Sequence, residues 1–279
     1  NMKKSIYIKA AAVALALSVT APQAAFGAGP GDGLITIETG QTRYETATPS
    51  ELPANTGIVR PVEKYSYSDM EQDIRELQAK YGSRMTVNVI GTSADGRNLY
   101  EIIVGNVNAG KHVMIQAAIH GREYMTPLLV MKQLETALEQ YDTGNYEGTA
   151  YSSLFNQAAI HFIPMANPDG VAISQFGLQG INSPLLRQTI QEAYEKDLEE
   201  GRTTLSLDRY LTYWKANGRG VDLNSNFDAG WEKLSDLGHP SYAGYKGTSP
   251  ASEPRAWRWS TWPANTSGPW CSITTPWER

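Results

Sequence analysis

Met114-Ile115-Gln116-Ala117-Ala118-Ile119-His120-Gly121-Arg122-Glu123-Tyr124 is the stretch around which the rest of this chain reads. An apolar run of strand length delivers a histidine and, three residues later, a glutamate. Thr126-Pro127 then opens a helical pattern. An imidazole and a carboxylate released together at a strand end are good donors for a borderline cation such as zinc. Two donors alone are weak, because a glutamate three residues after a histidine is common by chance. A buried, hydrogen-bonded histidine beside a helix-start carboxylate explains the pair equally well.

The 279 residues suffice for one large α/β domain or two small ones. A formal charge of −5 argues against a nucleic-acid partner, which calls for a basic face. Met2-Lys3-Lys4, the apolar run from Ala10 to Val19 and Ala25-Phe26-Gly27 follow the layout of a secretory signal peptide over residues 1–27. An N-terminal anchor is the alternative, although the apolar run is short for a span. No other run is long enough to cross a membrane, so no stable span is expected after cleavage. The single cysteine, Cys271, rules out an internal disulfide framework and suits a bacterial cell envelope or secreted protein.

Residues 28–61 are Gly-, Thr- and Pro-rich and read as a linker or short pro-segment. Met70, Ile74 and Leu77 predict a helix over Tyr65 to Tyr81, stopped by Gly82. Met85 to Ile90, Leu99 to Val104, His112 to Ile119 and Ala158 to Pro164 read as strands, with Ser93-Ala94-Asp95-Gly96 as a turn. Leu128, Leu129, Met131, Leu134 and Ala137 mark a helix face. Leu185 to Glu200 predicts a polar surface helix. Alternating strands and helices imply an α/β fold, a mixed sheet with helices on both faces, and ligands on such sheets gather at strand C-terminal ends.

Three further blocks follow the histidine in order. Ile163-Pro164-Met165-Ala166-Asn167-Pro168-Asp169-Gly170 is a strand running into a turn signal. Trp214-Lys215-Ala216-Asn217-Gly218-Arg219-Gly220-Val221-Asp222-Leu223-Asn224-Ser225-Asn226-Phe227 is the second, and Tyr245 to Pro254, with Ser252-Glu253-Pro254, is the third. Together these resemble the zinc carboxypeptidase family, nearest its bacterial branch that cleaves γ-D-glutamyl–diamino acid bonds in cell-wall peptides.

The resemblance covers residues 62–254 and implies a catalytic domain on a mixed, mostly parallel sheet. It implies Zn2+ bound by His120 and Glu123, with Asp222 accepting from the other ring nitrogen of His120. An aspartate capping its own turn is the alternative for Asp222. Lys215 matches the cation that steadies the oxyanion, with Arg219 as a nearby alternative and a solvated lysine as the plain one. Arg122 and Asn224 match substrate-binding positions. Ser225 stands where relatives carry an arginine that clamps a C-terminal carboxylate, which favours endopeptidase action or recognition of a diamino-acid side chain. The implied chemistry is hydrolysis of a peptide or a peptidoglycan stem peptide by zinc-activated water, carried out by a monomer. The rival is a non-catalytic module that binds cell-wall peptides through Asn224, Arg122 and Lys215.

The family's third ligand and general base lie beyond the Ser-Glu-Pro block. None of His112, His161 and His239 matches that ligand. After Pro254 the composition breaks: Trp257, Trp259, Trp262, Trp270 and Trp277 crowd a stretch without apolar period. Loss of one nucleotide after the codon for Pro254 converts a family-like Pro-Glu continuation into Pro254-Arg255-Ala256-Trp257. The restored frame can encode a helix, a strand and an Asn-Tyr-His-Thr end. Residues 255–279 are therefore expected to be an out-of-frame tail that leaves the C-terminal part of the sheet missing.

Overall fold

The structure is a computed structural model that describes residues 57–253. The expected signal peptide, most of the expected linker and the expected out-of-frame tail lie outside the described residues.

Helix α1 (Tyr67–Tyr81) begins in a reciprocal capping box between Ser66 and Asp69, and buries Met70, Ile74 and Leu77. The box satisfies two backbone donors that a helix start leaves open. Strands β1 (Met85–Thr92) and β2 (Asn98–Gly105) form a hairpin across the expected turn, where Gly96 adopts φ +85°. A register shift between Val89 and Gly91 marks a bulge in β1. Strand β3 (His112–Gln116) leads through Ile119 to the histidine. Helix α2 (Thr126–Glu139) follows, burying Val130, Met131, Leu134, Ala137 and Leu138. A two-residue hairpin, β4 (Asn145–Tyr146) and β5 (Thr149–Ala150), precedes α3 (Tyr151–Gln157) and β6 (Ala159–Ile163).

The main sheet runs β1-β2-β6-β3. It is mixed and carries flanking helices, as the pattern implies, but the expectation of a mostly parallel sheet needs correction. Only β3–β6 is parallel among the described residues; β1–β2 and β2–β6 are antiparallel. For β1–β2 the cause is the short connection between them, since a tight hairpin joins only antiparallel strands.

Side chains alternate across each strand. Ile102, Val104, Val113, Ile115, Ile160 and Phe162 share the main core with residues of α1, α2 and α3. Alternate positions Met114 and Ile163 join Ala166 and Ile90 in a smaller cluster. The parallel β3–β6 pair puts both C-terminal ends at one edge. Ala117 N donates to Ile163 O, and Ala166 N to Ala117 O, so the ladder continues past both strands.

Helices α4 (Pro168–Phe176), α5 (Pro184–Glu199) and α6 (Leu207–Thr212) build a second core with Ile173, Leu186, Ile190, Tyr210, Leu211 and Trp214. Helix α5 is thus more than the expected surface excursion. Its fully buried Asp197 accepts from Tyr210 Oη (2.7 Å), Ser241 Oγ (2.6 Å) and Arg202 Nε (2.9 Å). Burial and the Asp197 charge push the Tyr210 phenol well above its ordinary range, so it stays a neutral donor. Tyr210 Oη in turn accepts from Tyr242 N, and Tyr242 O accepts from both Lys215 N and Ala216 N. The second core thereby fixes the backbone that carries Lys215.

Candidate metal centre

Strand β3 ends at Gln116, and Ala118 takes a left-handed φ of +49° that turns the chain out of the sheet. Ala118 N is held by Thr126 Oγ1, which itself donates to Glu123 O. His120 then caps the 3-10 turn Gly121–Glu123, which sets the glutamate back toward the imidazole. His120 Nδ1 and Glu123 Oε1 lie 2.8 Å apart.

The other ring nitrogen faces Asp222. His120 Nε2 is buried and forms no hydrogen bond among the described residues; Asp222 Oδ1 stands 3.9 Å away. Of the two expectations for Asp222, the turn cap is formed, whereas the hydrogen bond to His120 is not made at 3.9 Å. Its Oδ1 accepts from Asn224 N (3.3 Å), capping its own turn, while the same oxygen faces the imidazole. Its Oδ2 accepts from Gly244 N (3.0 Å) and lies 3.4 Å from Lys215 Nζ. His120, Glu123, Asp222 and Lys215 thus form one cluster drawn from two separated segments.

The remaining candidates lie around it. Arg219 has a half-exposed side chain turned to Glu253, with NH1 3.5 Å from Oε2. Of the two candidate cations, Lys215 is the one beside Asp222. Arg122 sits exposed within the 3-10 turn, and the exposed Asn224 follows Asp222 by two residues. Ser225 donates its backbone N–H to Asp222 O.

The donor set suits zinc in part. An imidazole nitrogen and a carboxylate oxygen lie side by side, and a carboxylate faces the second ring nitrogen at 3.9 Å, where a ligating histidine needs an acceptor. No group of three His, Cys, Asp or Glu able to hold a metal ion occurs among the described residues. His161 Nδ1 pairs with Glu101 Oε1 (3.0 Å) and its Nε2 with His112 Nδ1 (2.8 Å); burial and the neighbouring His161 lower the His112 pKa. His239 faces Glu200.

Two contributors escaped the sequence reading. Asn167 reads there as part of a turn, but it is the N-cap of α4 with Pro168 at the first helical position, a pairing that marks a helix start. Asn217 Nδ2 donates to the buried Glu253 (2.6 Å), and its Oδ1 accepts from Arg219 N and Val221 N. The Ser-Glu-Pro block is therefore an anchor for the loop after Lys215.

The family model described as zinc carboxypeptidase matches residues 70–272, extending past Pro254. The chain is 30% identical over 206 residues to gamma-D-glutamyl-L-diamino acid endopeptidase 1 of Lysinibacillus sphaericus, covering 71% of this chain and 47% of that protein. It is 28% identical over 211 residues to the uncharacterized protein YqgT of Bacillus subtilis (strain 168), covering 75% and 52%. The chain spans about half the length of these curated relatives. Carboxypeptidase A from Helicoverpa armigera shares the fold at a TM-score of 0.50, with 20% identity over 74% of this chain and 44% of that one. With the ordered motifs and their geometry, the match over residues 70–272 establishes that this chain belongs to the zinc carboxypeptidase family.

Proposed function

We propose that this chain carries part of the site of a zinc-dependent peptidase that hydrolyses peptide or γ-D-glutamyl–diamino acid bonds, with peptidoglycan stem peptides as substrate. The observation that carries the reading is the His120 ring, which presents one nitrogen to Glu123 and the other to Asp222, with Lys215 alongside. The likeness to an endopeptidase named for γ-D-glutamyl-L-diamino acid bonds supports the bond class.

His120 and Glu123 would hold the zinc. When bound, the ion supplies a water of lowered pKa and polarises the scissile carbonyl. Asp222, which faces the other ring nitrogen at 3.9 Å, would orient His120 and hold its tautomer on closing to hydrogen-bond distance. Lys215 supplies a positive point charge for the developing oxyanion. Arg122 and Asn224 bind substrate. Ser225 cannot offer the two-pronged clamp of an arginine, so a terminal carboxylate is not the main handle. Residues 1–27 direct the monomeric chain to the cell envelope or outside it. No helix among the described residues is long and apolar enough to cross a membrane.

Zinc titration of the purified full chain, His120→Ala and Glu123→Gln, paired with hydrolysis of a γ-D-glutamyl–diaminopimelate peptide, tests the reading. Weak zinc binding in the wild type that disappears in both variants is expected. Binding unchanged in His120→Ala overturns it. The second reading is a cell-wall-peptide-binding module that uses Arg122, Asn224 and Lys215 without catalysis. Peptide binding independent of zinc, and abolished by Lys215→Ala, would select that one. Sequencing the gene across the codon for Pro254 tests the proposed frameshift, which an intact frame excludes.

A further inference from the structure

Asn167 lies where its own segment meets the segments that carry His120 and Lys215. It is 2% exposed. Its Oδ1 accepts from Gly170 N (3.0 Å), the ordinary bond of a helix cap. Its amide nitrogen does something a cap does not require. Nδ2 lies 3.1 Å from Ile119 O and 3.0 Å from Ala216 O, with Lys215 O at 3.5 Å. Ile119 immediately precedes His120, and Ala216 immediately follows Lys215. One primary amide, using its two hydrogens, thus bridges the backbone that delivers the imidazole and the backbone that delivers the cation.

The surroundings leave that amide little freedom. A Cβ on Gly170 would stand 2.5 Å from both Asn167 Nδ2 and Ala216 O, and one on Gly121 would stand 2.3 Å from Gly170 O. Gly121 N completes the junction by donating to Lys215 O (3.1 Å).

We propose that Asn167 is a positioning residue that sets His120 and Lys215 relative to one another through the carbonyls of Ile119 and Ala216. This rests on the peptidase reading for its purpose, although the tie itself is independent of any metal. A displacement near 1 Å in a reactive constellation costs about a hundredfold in rate. Removing an outer partner of a metal ligand costs roughly ten- to a hundredfold in affinity.

Helix capping and backbone tying separate cleanly by side-chain chemistry. Aspartate and serine cap helices about as well as asparagine. Neither supplies an N–H pair: aspartate turns a carboxylate toward two carbonyls, and serine is too short to reach them. Full-chain Asn167→Asp and Asn167→Ser are compared with wild type by amide hydrogen exchange and by zinc titration against a chelator.

The expected result is exchange at the Gly121 amide faster by about tenfold or more, with the Val171 amide of α4 still protected, and zinc affinity about tenfold lower. Wild-type exchange at Gly121 and wild-type zinc affinity in both variants would reduce Asn167 to a cap and overturn the proposal. Loss of cooperative unfolding in both would make it a determinant of the whole fold and overturn it equally. Failure of the wild-type chain to bind zinc sinks the peptidase reading, while Gly121 exchange still decides the tie.

Discussion

Replacing Gly121 by alanine tests the most crowded contact of the candidate centre. The new methyl carbon would sit 2.3 Å from Gly170 O and 2.4 Å from Gly170 C, both backbone atoms that cannot rotate away. Relief requires the two segments to part by roughly 1 Å, given ordinary non-bonded distances. That motion lengthens Gly121 N to Lys215 O and Asn167 Nδ2 to Ile119 O beyond bonding range, each now 3.1 Å. Two buried hydrogen bonds at about 1 kcal/mol each, with roughly 1–3 kcal/mol of overpacking, give a loss of about 3–5 kcal/mol. For a domain of this size that lowers the melting temperature by about 10 °C. Thermal and urea unfolding of the full chain read this directly. Gly82→Ala is the control, because a Cβ there meets nothing within 4 Å and Gly82 already has a right-handed helical backbone; its stability should stay within about 1 kcal/mol of wild type. A Gly121→Ala loss below 1 kcal/mol would refute the claim that this approach is rigid.

Three further outcomes are expected. Burial first, and then the neighbouring acids Glu76, Asp69 and Glu135, raise the Asp73 carboxyl from 3.8 to about 6, although the Tyr65 hydroxyl bond pulls it down. Its contribution is fully present below the unfolded value and fades as pH rises through about 6, so wild type loses stability across that window. Asp73→Asn should flatten this loss, by roughly 1–2 kcal/mol after allowance for solvent screening, in urea titrations from pH 4 to 8. Glu135→Ala should cost about 3 kcal/mol in chemical unfolding and open the chain near residue 58 to protease, since the buried carboxylate holds Ile58 N, Val59 N and Lys132 Nζ. Asp197→Ala removes the acceptor of Arg202, Tyr210 and Ser241 and should cost about 3–5 kcal/mol, with loss of near-ultraviolet signal from Trp214.

Periodicity made most of the framework readable. The strands at Met85, Leu99, His112 and Ala158 appear within a few residues of their expected bounds, because each is an apolar run bounded by Gly, Asp or Pro signals. Helix α1 was legible from Met70, Ile74 and Leu77 with Gly82 as its stop, while the Ser66 cap went unread. Strand direction was not. Alternation assigns faces, whereas pairing depends on connections, and the family likeness suggested more parallel pairing than the described sheet contains. The turn reading of Asn167-Pro168-Asp169-Gly170 failed because the same residues open helices and make turns; only the following run Val171-Ala172-Ile173, buried throughout, separates the two. His120, Glu123, Asp222 and Lys215 were named from motifs, and the structure brings those four together. The Asn167 tie left no mark in the sequence, since its partners are main-chain carbonyls that every residue possesses.

The bridge from Ile119 to Asn167 to Ala216 also bears on the order in which the chain acquires its chemistry. Its bonds join residues 48 and 49 apart, and Gly121 N reaches further still, to Lys215. Contacts of such separation form only after the intervening chain has closed. A nascent chain that has emerged through β6 therefore holds His120 and Glu123 on the same short turn without anything fixing them against Lys215 or Asp222. Emergence of Tyr242, whose carbonyl receives Lys215 and Ala216, completes the junction. Assembly of the His120, Glu123, Asp222 and Lys215 cluster is thus a late event of synthesis, and its appearance on the ribosome would time the docking of the second core.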